Sequence, residues 1–139
     1  MNILKPLLAS LSLMAAAIPA MAQHAAPATA PHAIVKTLMT KPLAQHPGEE
    51  LVMLSVEYPP GSVDPVHRHN ANALVYVVEG SIVMGLRGSK PVTLGPGQTF
   101  YEGPNDVHKI GRNASTTRPA KFIVVLLKKT GAPLLVPVK

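Results

Sequence analysis

The chain contains no cysteine. Disulfides, lipid anchoring through cysteine and thiolate metal ligands are therefore excluded. Any metal site must use nitrogen and oxygen donors, with methionine sulfur as a minor option. No apolar stretch reaches the about 18 residues of a membrane span; the longest, residues 7–20, is shorter and is interrupted by Pro19. After it, no segment carries a capped 3.6-residue apolar stripe, so a helical architecture is not expected. There is no internal repeat. Lysines and arginines are dispersed, and no basic run is interleaved with aromatics, which argues against a nucleic-acid partner.

What is present begins with a leader. "MNILKPLLASLSLMAAAIPAMA" has one cation at Lys5, an apolar centre and the small-x-small ending Ala20-Met21-Ala22. This is the pattern of a secretory signal peptide over 1–22, cleaved after Ala22. It predicts a periplasmic or secreted bacterial protein without a membrane anchor. Removing the leader takes Lys5 with it, leaving 117 residues with twelve basic against seven acidic side chains, a net charge of +5. That length suits one domain with a single core. Residues 23–33 are Ala/Pro-rich and read as a flexible arm; residues 34–139 form the domain.

Within the domain, short runs rich in Val, Ile, Leu, Tyr and Thr alternate with Gly/Pro punctuation: "IVKTLM", "ELVMLSVEY", "ALVYVVE", "SIVMGLR", "PVTL", "QTFY", "VHKI", "AKFIVVLL" and "PLLVPV". Such spacing predicts an all-β antiparallel sandwich or barrel. Glu79-Gly80 and Gly88-Ser89 are expected to close hairpins, and "LGPGQ" to make a further turn. "KFIVVLL" is apolar at nearly every position and is expected to be a central strand covered on both faces. "IVKTLM" and "PLLVPV" are expected at sheet edges, where they could join two copies in a homodimer. Pro133 and Pro137 favour an outer position for the second.

His67 and His69 stand at i and i+2 in "VHRHNANALVYVVEG". On a strand such residues share a face. Ala71, Ala73, Val75 and Val77 continue that face with small or apolar groups, while Arg68, Asn70 and Asn72 alternate outward. Buried together, two imidazoles are most simply explained by a metal ion; in a surface loop after Pro65 they need no ligand. His24, His32 and His46 lie in the arm or beside Pro47-Gly48 and read as exposed. His24, next to the new N-terminus at Gln23, could bind copper if Gln23 stays uncyclised. Asn113-Ala114-Ser115 matches a glycosylation triplet, a coincidence behind a bacterial leader.

Gly61, five residues, His67, one residue, His69, ten residues, Gly80, and then Gly97, ten residues, His108 with Asn113 beyond, resemble the two signature motifs of the cupins, small barrels of jelly-roll type. The likeness runs from about residue 51 to 127 and is nearest the quercetin-dioxygenase-like type. It implies a single-domain cupin barrel with His67, His69 and His108 as metal ligands. The chain departs from the family where the first motif has its glutamate, because Ala73 stands there. Gly103, Pro104 and Asn105 also differ from the second motif, and Asn113 comes one residue late.

The resemblance then implies three neutral imidazoles plus water around one divalent transition metal, Fe, Mn, Zn, Ni, Co or Cu. Without the glutamate the centre would be one unit more positive and would favour anionic or enolate-like ligands. Three-histidine cupins include oxygenases of diketones, thiols and phenolic acids, which implies oxygenase-type chemistry, or related lyase or isomerase chemistry, on a small organic anion. The alternative is a non-catalytic sensor or binding module, consistent with Ala73 and with no evident internal acid or base. Tyr76, Tyr101, Glu102 and Asp106 are candidates beside the ligands. Glu102 or Asp106 could accept a histidine N–H, or both belong to a solvated turn.

Overall fold

The computed structural model describes residues 29–139; the signal-peptide expectation over 1–22, and His24, lie outside them. Ten antiparallel strands follow one another, and no helix occurs among the described residues. They are β1 (Ile34–Pro42), β2 (Glu49–Tyr58), β3 (His67–Arg68), β4 (Asn72–Glu79), β5 (Ile82–Leu86), β6 (Val92–Leu94), β7 (Thr99–Glu102), β8 (His108–Asn113), β9 (Ala120–Lys129) and β10 (Val136–Pro137). Two five-stranded sheets result, ordered β1-β2-β9-β4-β7 and β10-β3-β8-β5-β6. Their inner faces enclose one core, the all-β arrangement that the turn spacing predicts, in the jelly-roll form that the resemblance implies.

Alternation in the sequence decides which side chains face that core. Even-numbered residues of β2 and β9 are buried, as are Ala73, Val75 and Val77 of β4. Pairing lines them up in rows across the first sheet. Val52, Leu126, Ala73 and Glu102 form one; Leu54, Val124, Val75 and Phe100 form the next. Ile82 and Met84 of β5 close the core from the second sheet.

Two local expectations are corrected. The Glu79-Gly80 turn does not close a hairpin, because β4 belongs to the first sheet and β5 to the second. It is a corner between layers, and Gly80 is required there: φ is +71°, and a Cβ would stand 2.6 Å from the Pro119 carbonyl oxygen. Strand β9 is central in its sheet, yet only one face is covered; Ile123, Val125 and Leu127 on the other are half-buried. The Gly88-Ser89 hairpin does form, joining β5 to β6. The runs expected at edges are edges, as β1 and β10.

Asn113 is not available for glycosylation. It is 3 % exposed, and its amide donates to the carbonyls of Tyr58, Pro59 and Arg118 while accepting from Ser115 N–H. It ties the end of β8 to the end of β2 and to the turn before β9.

Candidate metal centre

His67 lies between β8 and β10, directly opposite His108 on one side and Pro137 on the other. His69 follows two residues later, past the end of β3. Arg68 and Asn70 are exposed while His67, Ala71 and Ala73 are buried, so the inside/outside alternation read from the sequence persists through the break between β3 and β4. His108 needs a further device. It is even-numbered, whereas Gly111 and Asn113, the buried residues later in β8, are odd. A register shift against β5 pairs Gly85 with Ile110 and Leu86 with His108, which leaves Lys109 as an extra residue. This bulge turns the His108 imidazole inward.

Those placements bring the three rings together. His67 Nε2 is 3.2 Å from His69 Nε2 and 3.4 Å from His108 Nδ1. Glu102 completes the group, with Oε2 at 3.7 Å from His69 Nε2 and 3.6 Å from His108 Nδ1. All four candidate ligand atoms lie within 4.8 Å of one another. Donors about 2.1 Å from a shared ion are about 3.0–3.4 Å apart at right or tetrahedral angles, close to these separations.

Glu102 corrects the expectation that no carboxylate is present and that a solvated turn could hold this residue. It is 3 % exposed. It is also the cross-strand partner of Ala73, the position where the family's glutamate is missing. The methyl group at 73 leaves room for a carboxylate from the neighbouring strand. A signal for this existed in the sequence: Glu102 is two residues from Phe100, and both alternate with the outward Tyr101, whose hydroxyl donates to Asn72. Asp106 does not join the group; it accepts from Gly103 N–H in its own turn. Tyr76 is exposed on the outer face.

The hydrogen bonds around the rings show what the group lacks. His67 Nδ1 donates to the Pro65 carbonyl at 2.8 Å, and His69 Nδ1 donates to the Leu134 carbonyl at 2.6 Å. A carbonyl can only accept, so both Nδ1 atoms carry the proton and, in the neutral rings, both Nε2 atoms carry lone pairs. Two lone pairs 3.2 Å apart repel unless a cation lies between them. Glu102 Oε2 and His108 Nε2 are buried without any hydrogen-bond partner. Burial, reinforced by the Asp106 and Asp64 charges, pushes the Glu102 carboxyl up to about 7. Burial and the His67 charge push His108 down to about 4, and burial also lowers His69. Left to itself, the site disfavours the charged forms of Glu102, His69 and His108. A divalent cation would reverse that, so these residues fit a metal ion.

Beside the cluster, the Tyr58 hydroxyl donates to Asp64 Oδ2. Burial, with Asp64 adding to it, raises the Tyr58 phenol; burial also raises Asp64, against the opposing effect of the Tyr58 bond. Gly111 permits this crowding. A Cβ there would meet His108 Cε1 at 2.9 Å, the Tyr58 hydroxyl at 3.0 Å and Asp64 Oδ2 at 3.1 Å. Tyr58 ends the apolar alternation of β2, whereas Asp64 lies in an irregular loop without periodicity, and neither was singled out from sequence. A cavity of about 240 Å³ opens onto the cluster, with Leu134, Leu135, Val35 and His32 among its lining residues. His32, expected to be merely exposed, thus borders the cavity.

Comparison with known proteins agrees with this architecture. No protein of curated function matches the sequence. An uncharacterised conserved protein with a double-stranded β-helix domain from Klebsiella pneumoniae superposes with a TM-score of 0.61 at 16 % identity, over 78 % of this chain and 85 % of that one. The DMSP lyase DddQ from Ruegeria pomeroyi gives 0.56 at 24 % identity, over 63 % of this chain. An oxalate oxidase in complex with the substrate analogue glycolate gives 0.58 at 23 % identity, over 76 % of this chain. The chain spans 43 % of the length of the lyase and 55 % of the oxidase. The cupin-domain profile matches residues 54–126, more than half of the sequence, and the chain belongs to the cupin family.

Proposed function

We propose that this protein is an exported, periplasmic or secreted, mononuclear metal cupin in which His67, His69, Glu102 and His108 hold one divalent transition metal, and that it acts on a small organic molecule by oxygenase-type or related lyase or isomerase chemistry. The observation that carries this reading is the facing pair of Nε2 lone pairs, with each opposite nitrogen fixed by a backbone carbonyl. When bound, the metal would supply Lewis acidity. The chain's own residues do the rest. Pro65 and Leu134 orient the imidazoles, the apolar walls exclude water, and Tyr58, hydrogen-bonded to Asp64, can hold or pass a proton at its hydroxyl oxygen.

Three imidazoles and one carboxylate accommodate Fe(II), Mn(II), Co(II), Ni(II), Cu(II) or Zn(II) by donor type. Elemental analysis of untagged protein isolated from its native compartment tests the centre: about one metal per chain is expected. Protein that carries no metal and takes up none would sink it.

The second reading is a binding or sensor cupin that holds its ligand without turnover. The Tyr58–Asp64 pair favours catalysis over it, since a proton-handling group stands where the sequence suggested none. Oxygen uptake by Fe(II)-loaded protein across diketones, catechols and thiols separates the two, because a binder consumes none.

A further inference from the structure

The cavity above the cluster constrains its occupant, and this step rests on the metal reading just given. We infer that the ligand has a single, at most monoanionic oxygen-donor head and an apolar body, and that dicarboxylates and other multiply charged acids are excluded. The walls carry the body: Leu54, Val56, Met84, Phe122, Val124 and Leu134 all line the cavity. Among the described residues no lysine or arginine lines it, and the one histidine there outside the cluster is His32, an exposed residue. The acidic residues in the lining, Asp64 and Glu102, are both at the cluster end.

Charge follows from that inventory. Glu102 within the ligand group restores the negative unit that Ala73 removes, so the excess positive charge expected from three histidines alone is gone. A divalent ion facing Glu102 retains attraction for one further negative group, and Asp64 nearby competes for it. A ligand's second carboxylate would then lie against apolar walls with no cation to pair it, a placement that burial strongly disfavours. An alkyl or aryl body loses nothing there and gains by leaving water. The volume, about 240 Å³, lies below that of most ligand sites, so head and body together must be compact.

The test uses calorimetry and thermal melting of the full chain, both Zn(II)-loaded and stripped with chelator. The probes are a series of n-alkyl hydroxamates, which keep one monoanionic head and lengthen the tail, and oxalate. Affinity of the Zn(II)-loaded protein should rise with each methylene until the cavity fills, and the best hydroxamate should bind at least about tenfold tighter than oxalate. In stripped protein the longer hydroxamates should still raise the melting temperature, and oxalate should not. Leu135, 38 % exposed in the lining, provides a variant outside the core: Leu135→Arg should narrow the gap between oxalate and hydroxamate. Oxalate matching the best hydroxamate, or affinity independent of tail length, overturns the inference. If zinc is not taken up but the tail-length series persists in the melts, the metal reading and the monoanionic head fail together, and only the apolar body read from the cavity walls stands.

Discussion

Two buried polar groups sit on the inner faces of this barrel and differ in one respect. In the first, Lys128 and Glu50 are cross-strand partners on β9 and β2. Lys128 Nζ donates to Glu50 Oε1 at 2.5 Å, to the Ala132 carbonyl at 2.7 Å and to the Lys129 carbonyl at 3.3 Å. Three donors meet three acceptors, and opposite charges neutralise one another. In the second, His67 and His69 turn acceptors toward one another, and Glu102 Oε2 beside them is buried without a hydrogen-bond partner. A buried polar cluster that completes itself fastens two strands. One that remains incomplete at its centre is built to receive something from outside.

The largest effect that could break this contrast is loss of a ring. His67→Ala or His108→Ala should reduce metal content from about one per chain to background, measured by elemental analysis. Chelator should then lower the melting temperature of the parent protein and leave that of either variant unchanged. Equal metal content in parent and variants would show that the cluster is not the site.

Next in size is the relocated carboxylate. Glu102→Gln should weaken metal binding by at least about tenfold, or about 1.4 kcal/mol, in competition with a coloured chelator. Moving the group back across the strand pair, with Ala73→Glu and Glu102→Ala together, should recover part of the loss. Ala73→Glu alone should not help, because it opposes two carboxylates on adjacent strands.

The self-complete pair should respond in the opposite sense. Lys128→Met leaves Glu50 without its cation and should lower the urea midpoint while metal content stays at the parent value. Lys128→Met with Glu50→Met should restore much of the stability. A loss of metal in Lys128→Met would mean the two groups are coupled after all.

The smallest effect is in pH dependence, because opposing contributions partly cancel. In stripped protein, His108 is lowered from 6.5 to about 4 and His69 is lowered too, so their contribution is complete above pH 6.5 and is lost as pH falls. Glu102 is raised from 4.5 to about 7; its contribution is complete below pH 4.5 and is lost as pH rises toward 7. Stability should therefore peak near pH 6.5 and decline just above it. With metal bound, Glu102 is held as the carboxylate and the decline above pH 6.5 should vanish. Glu50, lowered chiefly by its bond from Lys128, adds a loss below 4.5 in both forms.

Much of this was legible in the residues. Strict alternation from His67 to Val77 placed two imidazoles on the inner face even though the ladder breaks between them and β4. The turn spacing gave an all-β fold, and Pro133 and Pro137 marked an outer strand. What escaped reading depends on contacts distant in sequence. Lys109 as a bulge cannot be seen without β5 beside it. The half-buried outer face of β9 hides in a run apolar at both parities, and Glu79-Gly80 looks like any hairpin until its strands prove to lie in different sheets. Glu102 was readable from its parity with Phe100, but the adjacent Gly-Pro suggested solvent, and only the pairing with Ala73 shows the exchange of one strand's carboxylate for another's.

The pairing of the two shortest strands, β3 and β10, gives the C-terminal segment a disproportionate hold on the centre. β3 is two residues long and is flanked by β10, Val138 N–H donates to the Val66 carbonyl, and the Leu134 carbonyl accepts the hydrogen bond from His69 Nδ1–H. Tension, a proteolytic nick or a bulky fusion acting on residues 133–138 would thus be transmitted to two imidazoles. The tail behaves as the tuning peg of the site, and whatever slackens it detunes the ring at position 69 first.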